Sequence, residues 1–200
     1  MKLLLSDNQL HLRFAPFTLT RPLAALRCGL YTNAERWQQL LPSAEIGFET
    51  EAYLQSKFPH NNGIWINAQV IPNRQLARSV SQLKTGEKLY VNEVLVAQNG
   101  AGQDKIEYPD SNIIILENRW DLYLKNAAVL KSDFSLACDN RKSQVLSSSN
   151  RLIGPADHLF IEEGARIEGA ILNTHEGPIY VGKNAEIMEG AMLRGPLAIM

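Results

Sequence analysis

Cysteine is scarce in this chain: Cys28 and Cys138 are the only two among 200 residues. Neither stands in a CxxC or Cys/His ligand spacing, which argues against a disulfide framework and a cysteine-built metal site. Both read as reduced, packed small hydrophobes. Long apolar runs are missing as well. The longest aliphatic run, Ile113 to Leu116, is far too short to span a membrane. Lys2 is followed by only three leucines before Ser6-Asp7, so no secretory signal is visible. A cytoplasmic protein with no membrane partner is expected. Charge of one sign is also lacking. A net charge of −1 argues against a nucleic-acid partner held by bulk charge, so basic clusters must act locally.

One such cluster follows the first apolar stretch. Leu3-Leu4-Leu5 reads as a buried strand ending at the turn residues Ser6-Asp7-Asn8. Arg13 to Gly29 then carries Arg13, Arg21 and Arg27 with no acid among them. A cationic loop after a first strand is where an α/β domain would hold an anion. Leu10 to Leu12 is expected to be extended, and Pro22 to open a helical turn that Gly29 ends. Thr32 and Glu35 make a capping-box pattern, predicting a helix with Ala34, Trp37, Leu40 and Leu41 facing inward until Pro42. A strand over 45–49 and a short helix over 52–58, with Tyr53 inward, are expected next. Ile64-Trp65-Ile66 is a strand that could run on to Ile71, followed by a helix over 74–83. Leu89 to Val91 and Val94 to Ala97 read as a hairpin turning at Asn92-Glu93. Residues 99–112 read as a loop and 121–131 as a helix. Alternating strands and helices predict an α/β layer structure. The Ser-rich 143–150 segment is expected to end a first domain spanning 1–150.

The texture changes beyond it. Ile161 and Ile167, then Val181, Ile187, Leu193 and Ile199, recur at a spacing of six, with Gly-Ala pairs between. This is the hexapeptide repeat of a parallel β-helix, occupying 151–200. Ile167 and Val181 are fourteen apart rather than twelve, so two residues are expected to loop out within Asn173 to Pro178. About two coils would leave an apolar end exposed. A longer protein, or capping by self-association, is therefore expected.

An α/β domain followed by hexapeptide repeats resembles bifunctional sugar-phosphate enzymes. Sugar-1-phosphate nucleotidyltransferases carry GGxGTRLxPLTxxxPKPL after their first strand. Arg13 matches its arginine, Pro16-Phe17-Thr18 its PLT, and Pro22 the proline before its lysine. A divergent bacterial group is similar over three stretches, Pro16 to Gly29, Trp65 to Pro72 and Gly177 to Pro196. That group looks like an alternative form of UDP-N-acetylglucosamine diphosphorylase joined to glucosamine-1-phosphate N-acetyltransferase, also described as glucose-1-phosphate nucleotidyltransferase. The resemblance implies a Rossmann-like nucleotidyltransferase domain and the start of a left-handed β-helix. It further implies a nucleoside triphosphate and a sugar 1-phosphate as substrates, Mg²⁺, and a homotrimer. Acetyl-CoA would bind beyond Met200.

This sequence departs from the motif in three places. Gln9 to Leu12 replace the glycine-rich element whose amides hold phosphates. Leu23 replaces the lysine, and Gln69 stands where an Asp would hold Mg²⁺, so a neutral amide weakens that site. Arg13 and Arg21 are the candidate catalytic residues, because guanidinium groups bind phosphate oxygens bidentately. The same arginines could instead pair with Asp7 or Asp121, and Arg27 reads as structural. Thr18 and Thr20 are candidate substrate donors. Asn67 reads equally as a substrate contact or a turn cap. Metal ligands are not assignable. His175 in the looped segment reads as exposed rather than as a general base. Two functions stay open: nucleotidyl transfer, or a degenerate sugar-nucleotide-binding scaffold attached to an acyltransferase.

Overall fold

In a computed structural model, the structure describes residues 1–110 and 112–200, which divide into two compact units, Met1–Lys125 and Asn126–Met200. Position 111, inside the expected 99–112 loop, lies outside the described residues. The expected boundary near 150 falls within the second unit, because the helix before it joins the 126–200 packing.

The first unit is built on a six-stranded mixed sheet. Its strands are β1 (Lys2–Ser6), β4 (Glu45–Glu49), β5 (Ile64–Asn67), β6 (Glu87–Val91), β7 (Val94–Gln98) and β8 (Asp104–Glu107). Two short strands, β2 (Arg27–Cys28) and β3 (Tyr31–Thr32), pair separately as an antiparallel ladder. The order across the sheet is β4-β1-β5-β7-β6-β8. β1 runs parallel to both β4 and β5, with Leu5 opposite Phe48 and Ile66. β7 is antiparallel to β5 and β6, and β8 is parallel to β6. Leu3, Leu5 and Ile66 are fully buried. Each such side chain contributes about 1.5–3 kcal/mol relative to exposure.

Local signals that need only near neighbours formed as expected. Helix α1 (Asn33–Leu40) starts at a complete capping box: the Glu35 amide donates to Thr32 Oγ1 at 3.1 Å, and the Thr32 amide to Glu35 at 2.7 Å. Helix α2 (Arg74–Ser81) is capped by Asn73, whose side chain accepts from the Leu76 amide at 2.8 Å. The β6–β7 hairpin turns at Asn92 and Glu93, both with positive φ, as a two-residue turn requires.

Other expectations are corrected. Leu10 to Leu12 is not extended; His11–Phe14 forms a 3-10 turn, and Phe17–Leu19 and Leu23–Ala25 form two more. Gly29 ends no helix but sits, at φ 79°, in the turn joining β2 and β3. Only Ala52–Leu54 of the expected 52–58 helix is helical, and Tyr53 points outward at 59% exposure. β5 stops at Asn67 because the Val70 amide turns back to the Asn67 carbonyl. The expected loop after 99 contains β8. The helix expected over 121–131 is two, α3 (Asp121–Leu124) and α4 (Asn126–Cys138). On α1, Asn33, Arg36 and Trp37 are buried, whereas Leu40 is only half-buried.

The second unit contains α4 and three short parallel ladders. One pairs β9 (Arg151–Ile153), β12 (Ile171–Asn173) and β15 (Met192–Arg194). Another pairs β10 (Leu159–Ile161), β13 (Ile179–Val181) and β16 (Leu197–Ile199). The third pairs β11 (Arg166–Ile167) with β14 (Glu186–Ile187). The register sets Ile161 beside Val181, Val181 beside Ile199, Ile167 beside Ile187, and Leu172 beside Leu193. Leu159, Ile161, Ile167, Leu172, Ile179, Val181 and Ile187 share one buried core. The pairing also corrects the loop count. Nine residues separate Leu172 from Val181 against six between their partners Leu193 and Ile199. The step from Ile167 to Leu172 is one residue shorter than that from Ile187 to Leu193. Three residues therefore loop out and one is missing at the preceding corner.

Arg141 fastens the segment after α4 to these ladders. Its guanidinium pairs with Glu162, donates to the Tyr180 hydroxyl at 3.2 Å and lies 5.0 Å from the Phe160 ring centroid. Burial pushes the Tyr180 hydroxyl up to about 12.

Candidate active site

The strand order reverses about β1. The chain goes from β1 to β4 on one side, then returns past β1 to β5 on the other. In an open α/β sheet, the crevice outside the carboxyl ends of strands at such a reversal is where ligands bind. A cleft of about 340 Å³ lies there, lined by the end of β1 (Ser6 to Gln9), the end of β4 (Glu49 to Glu51), His11 and Trp65.

Its polar groups are held by one another. The Ser6 hydroxyl and the Trp65 indole N–H both donate to Glu49 Oε2, the latter at 2.9 Å. Asp7 is 3% exposed; its Oδ1 accepts from the Leu23 amide at 2.8 Å and its Oδ2 from the Thr50 hydroxyl at 2.6 Å. Burial pushes the Asp7 carboxyl above its ordinary value, against those two hydrogen bonds and the nearby His11. His11 is itself buried. Its Nε2 lies 3.4 Å from the Tyr53 hydroxyl, and its Nδ1 has no hydrogen-bond partner among the described residues.

The turn leaving β1 has a glycine-like backbone without glycine. Asn8 and Gln9 have φ of 48° and 58°, and the Asn8 amide donates to Ser6 Oγ at 3.0 Å. Asn tolerates this left-handed region; Gln gains nothing there. Gln9→Gly is expected to raise stability by about 1 kcal/mol by relieving that strain, read as a higher denaturation midpoint at unchanged slope.

A family model described as sugar nucleotidyl transferase matches residues 3–142, well over half of the chain. The chain belongs to this family. Among curated proteins, none matches it. Family membership supports nucleotidyl transfer on sugar phosphates, with a nucleoside triphosphate and a sugar phosphate as substrates, and the parallel-rich sheet is consistent with a Rossmann-like transferase domain. No helix among the described residues is long and apolar enough to cross a membrane.

The cleft is not lined by the residues that the sequence singled out. Arg13 is exposed and its Nε donates to Asn118 Oδ1 at 2.9 Å. Arg21 and Thr20 are exposed on the same segment. Neither Arg13 nor Arg21 pairs with Asp7 or Asp121 among the described residues; Asp121 instead pairs with Lys125 at 3.3 Å. Thr18 is corrected from substrate donor to structural fastener: it is fully buried and its hydroxyl donates to the His11 carbonyl. Of the two readings open for Asn67, the structure shows the turn cap. It is 1% exposed, accepts from the Gln69 amide at 3.1 Å and donates to the Leu95 carbonyl at 3.2 Å. Arg27 reads as structural here too, paired with Glu35 at 3.2 Å.

The donor set does not fit a Mg²⁺ ion held by the protein alone. Gln69 is absent from the cleft lining and its amide nitrogen donates to the Leu116 carbonyl at 2.7 Å. Both Asp7 oxygens are engaged by the fold. Among the described residues no group of three or more His, Cys, Asp or Glu side chains is placed to hold an ion.

Sequence reasoning passed over Ser6, Glu49 and Trp65, and weighed Asp7 only as an arginine partner. The available signal was position rather than composition: Ser6 and Glu49 end their strands, Asp7 follows one, and Trp65 lies within one.

Proposed function

We propose that the first unit transfers a nucleotidyl group from a nucleoside triphosphate to a sugar 1-phosphate, making a nucleotide sugar of the UDP-N-acetylglucosamine, dTDP-glucose or UDP-glucose type. The observation that carries this reading is a family match over residues 3–142 that encloses a cleft at the carboxyl ends of β1 and β4, with Trp65 of β5 in its wall. In the reaction, a phosphate oxygen of the sugar forms a bond to the α-phosphorus. The bond from that phosphorus to the pyrophosphate oxygen breaks, and pyrophosphate leaves with the electron pair. Catalysis of such a step is positioning plus neutralisation of phosphate charge. The Glu49 carboxylate, oriented by Ser6 and Trp65, suits the hydroxyls of a sugar, which donate to it. Arg13 and Arg21 are the proposed phosphate partners, with Thr20 a further donor beside them. The reaction is placed in the cytoplasm.

The same proposal extends to the second unit. Its three parallel ladders and apolar register support the first coils of a left-handed parallel β-helix of hexapeptide repeats. A homotrimer with acyl transfer from acetyl-CoA on that β-helix completes this reading.

A specific observation favours a second reading, in which the first unit binds sugar nucleotide without transferring it. The Asp7 and Glu49 carboxylates of the cleft are tied to the hydroxyls of Thr50 and Ser6, and the main-chain amide of Leu23, at the lysine position, is held by Asp7. Pyrophosphate release separates the two. Transfer requires release from UTP or dTTP that depends on an added sugar 1-phosphate and falls at least about tenfold in Arg13→Ala. Binding of UDP-N-acetylglucosamine with no release from any triphosphate and sugar-phosphate pair, in buffer containing Mg²⁺, supports the scaffold and overturns the transferase.

A further inference from the structure

The second unit has a cleft of its own, about 460 Å³, within the usual range for small-molecule sites. Three separate chain segments meet around it. Helix α4 supplies Lys131, Phe134 and Cys138; the turn before β10 supplies Asp157 and His158; the looped-out segment before β13 supplies His175, Glu176 and Pro178. Nothing in the proposed transfer uses these groups.

Several of them are fixed in place. His158 is half-buried, with Nδ1 3.4 Å from the Thr174 carbonyl. Thr174 is fully buried and donates to the Pro155 carbonyl at 2.8 Å, so that carbonyl is a rigid reference for the imidazole. A ring held through Nδ1 keeps Nε2 for another partner. Lys131 lies close against Gly177, where an added Cβ would stand 2.9 Å from Lys131 Cε. Glycine at 177 thus leaves room for the lysine stem at the rim of the cleft.

The charges around the cleft sort by availability. Glu176 faces Arg194 at 3.6 Å, which offsets its carboxylate. Burial pushes the Cys138 thiol up to about 11, so it is neutral and unsuited to act as a thiolate nucleophile. Asp157 is exposed and has no ion pair among the described residues. One ammonium, two imidazoles and one exposed carboxylate therefore line the same space as the apolar Phe134 and Pro178. The ammonium donates to a phosphoryl group's oxygens, as imidazole rings do in their protonated form, and the carboxylate accepts from hydroxyl groups.

We infer that this cleft binds a small phosphate ester with a hydroxylated carbon frame: Lys131, His158 and His175 hold the phosphoryl group, and Asp157 accepts from a hydroxyl. It is a binding site separate from the cleft of the first unit.

The test uses the whole chain with glucose 1-phosphate as probe, following the His158 and His175 ring signals by NMR and affinity by calorimetry. Both signals are expected to shift saturably. Affinity is expected to fall about tenfold in Lys131→Ala and in His158→Asn. Glu49→Gln, in the first cleft, is expected to leave these shifts unchanged, so failure of the transferase reading is scored separately. Absence of a shift in either ring, or an affinity untouched by both second-unit variants while circular dichroism shows them folded, overturns the site. Equal affinity for inorganic phosphate overturns the assignment of an ester. If one variant does not fold, the remaining variant and the ring signals of the unaltered chain decide.

Discussion

Asp7→Ala is expected to lower the stability of the first unit by about 2–4 kcal/mol, read from denaturant unfolding followed by Trp fluorescence. Asp7 joins three parts of the fold. It ends β1, accepts from the Leu23 amide in the third 3-10 turn, and accepts from the Thr50 hydroxyl just past β4. Leu23 is 2% exposed, so its amide has no ready water to replace the carboxylate. The cost is chiefly that of a buried donor left without a partner, not of a lost charge. Asp7→Asn separates the two. An amide can accept from Leu23 through Oδ1 and donate to Thr50 through Nδ2, so this variant should stay close to the parent at neutral pH. It should differ in pH dependence. Burial raises the folded-state pKa of Asp7 above the unfolded 3.8, so the folded chain holds this proton more tightly than the unfolded one. Stability contributed by that proton is present below the unfolded pKa and is lost as pH rises through the folded value. In Asp7→Asn that component disappears, and the variant gains on the parent as pH rises across the window.

Arg36→Ala should cost more, about 3–5 kcal/mol, and should leave α1 unable to hold the β2–β3 turn. Arg36 is 1% exposed, a position that α1's apolar pattern did not suggest. Its guanidinium donates to the Asn33 side chain, to the Cys28 carbonyl at 2.7 Å and to the Tyr31 carbonyl at 3.2 Å. Asn33 carries the chain of bonds onward, donating to the carbonyls of Ala68 at 2.7 Å and Val70 at 3.0 Å, just past β5. Removing the guanidinium opens a cavity and takes one donor from each of the Cys28 and Tyr31 carbonyls and from the Asn33 oxygen. Arg36→Met fills much of the volume but supplies no donor. If packing alone mattered, Met would recover most of the loss. The hydrogen bonds to buried carbonyls predict that it recovers less than half, as measured by chemical denaturation of the two variants side by side.

Both variants act on the frame around the cleft rather than on the proposed phosphate partners. Asp7 ties the end of β1 to the segment carrying Arg13 and Arg21, and Arg36 braces the turn that closes that segment. A drop in pyrophosphate release in either variant is therefore expected to track the loss of folded protein. In Arg13→Ala, release is expected to fall while the unfolding midpoint stays near that of the parent.

The sequence by itself determined features whose cause lies within a few residues. The Thr32–Glu35 box started α1, Asn73 capped α2, and Asn92-Glu93 closed the hairpin, because each needs only a neighbouring amide or a tolerated backbone angle. The six-residue spacing set the apolar register of the second unit, since parallel stacking returns like residues to like positions. Motif likeness led to the sugar nucleotidyl transferase family. The tertiary structure decided the rest. Whether a polar side chain is buried depends on distant carbonyls, so Arg36 and Asn33 turned inward and Leu40 only half did. Thr18 and Asn67 looked available in the sequence, yet the fold turned their side chains onto backbone groups. Most of all, strand order placed the cleft. That Ser6, Glu49 and Trp65 come together follows from β1 lying between β4 and β5, a long-range pairing that no local spacing encodes.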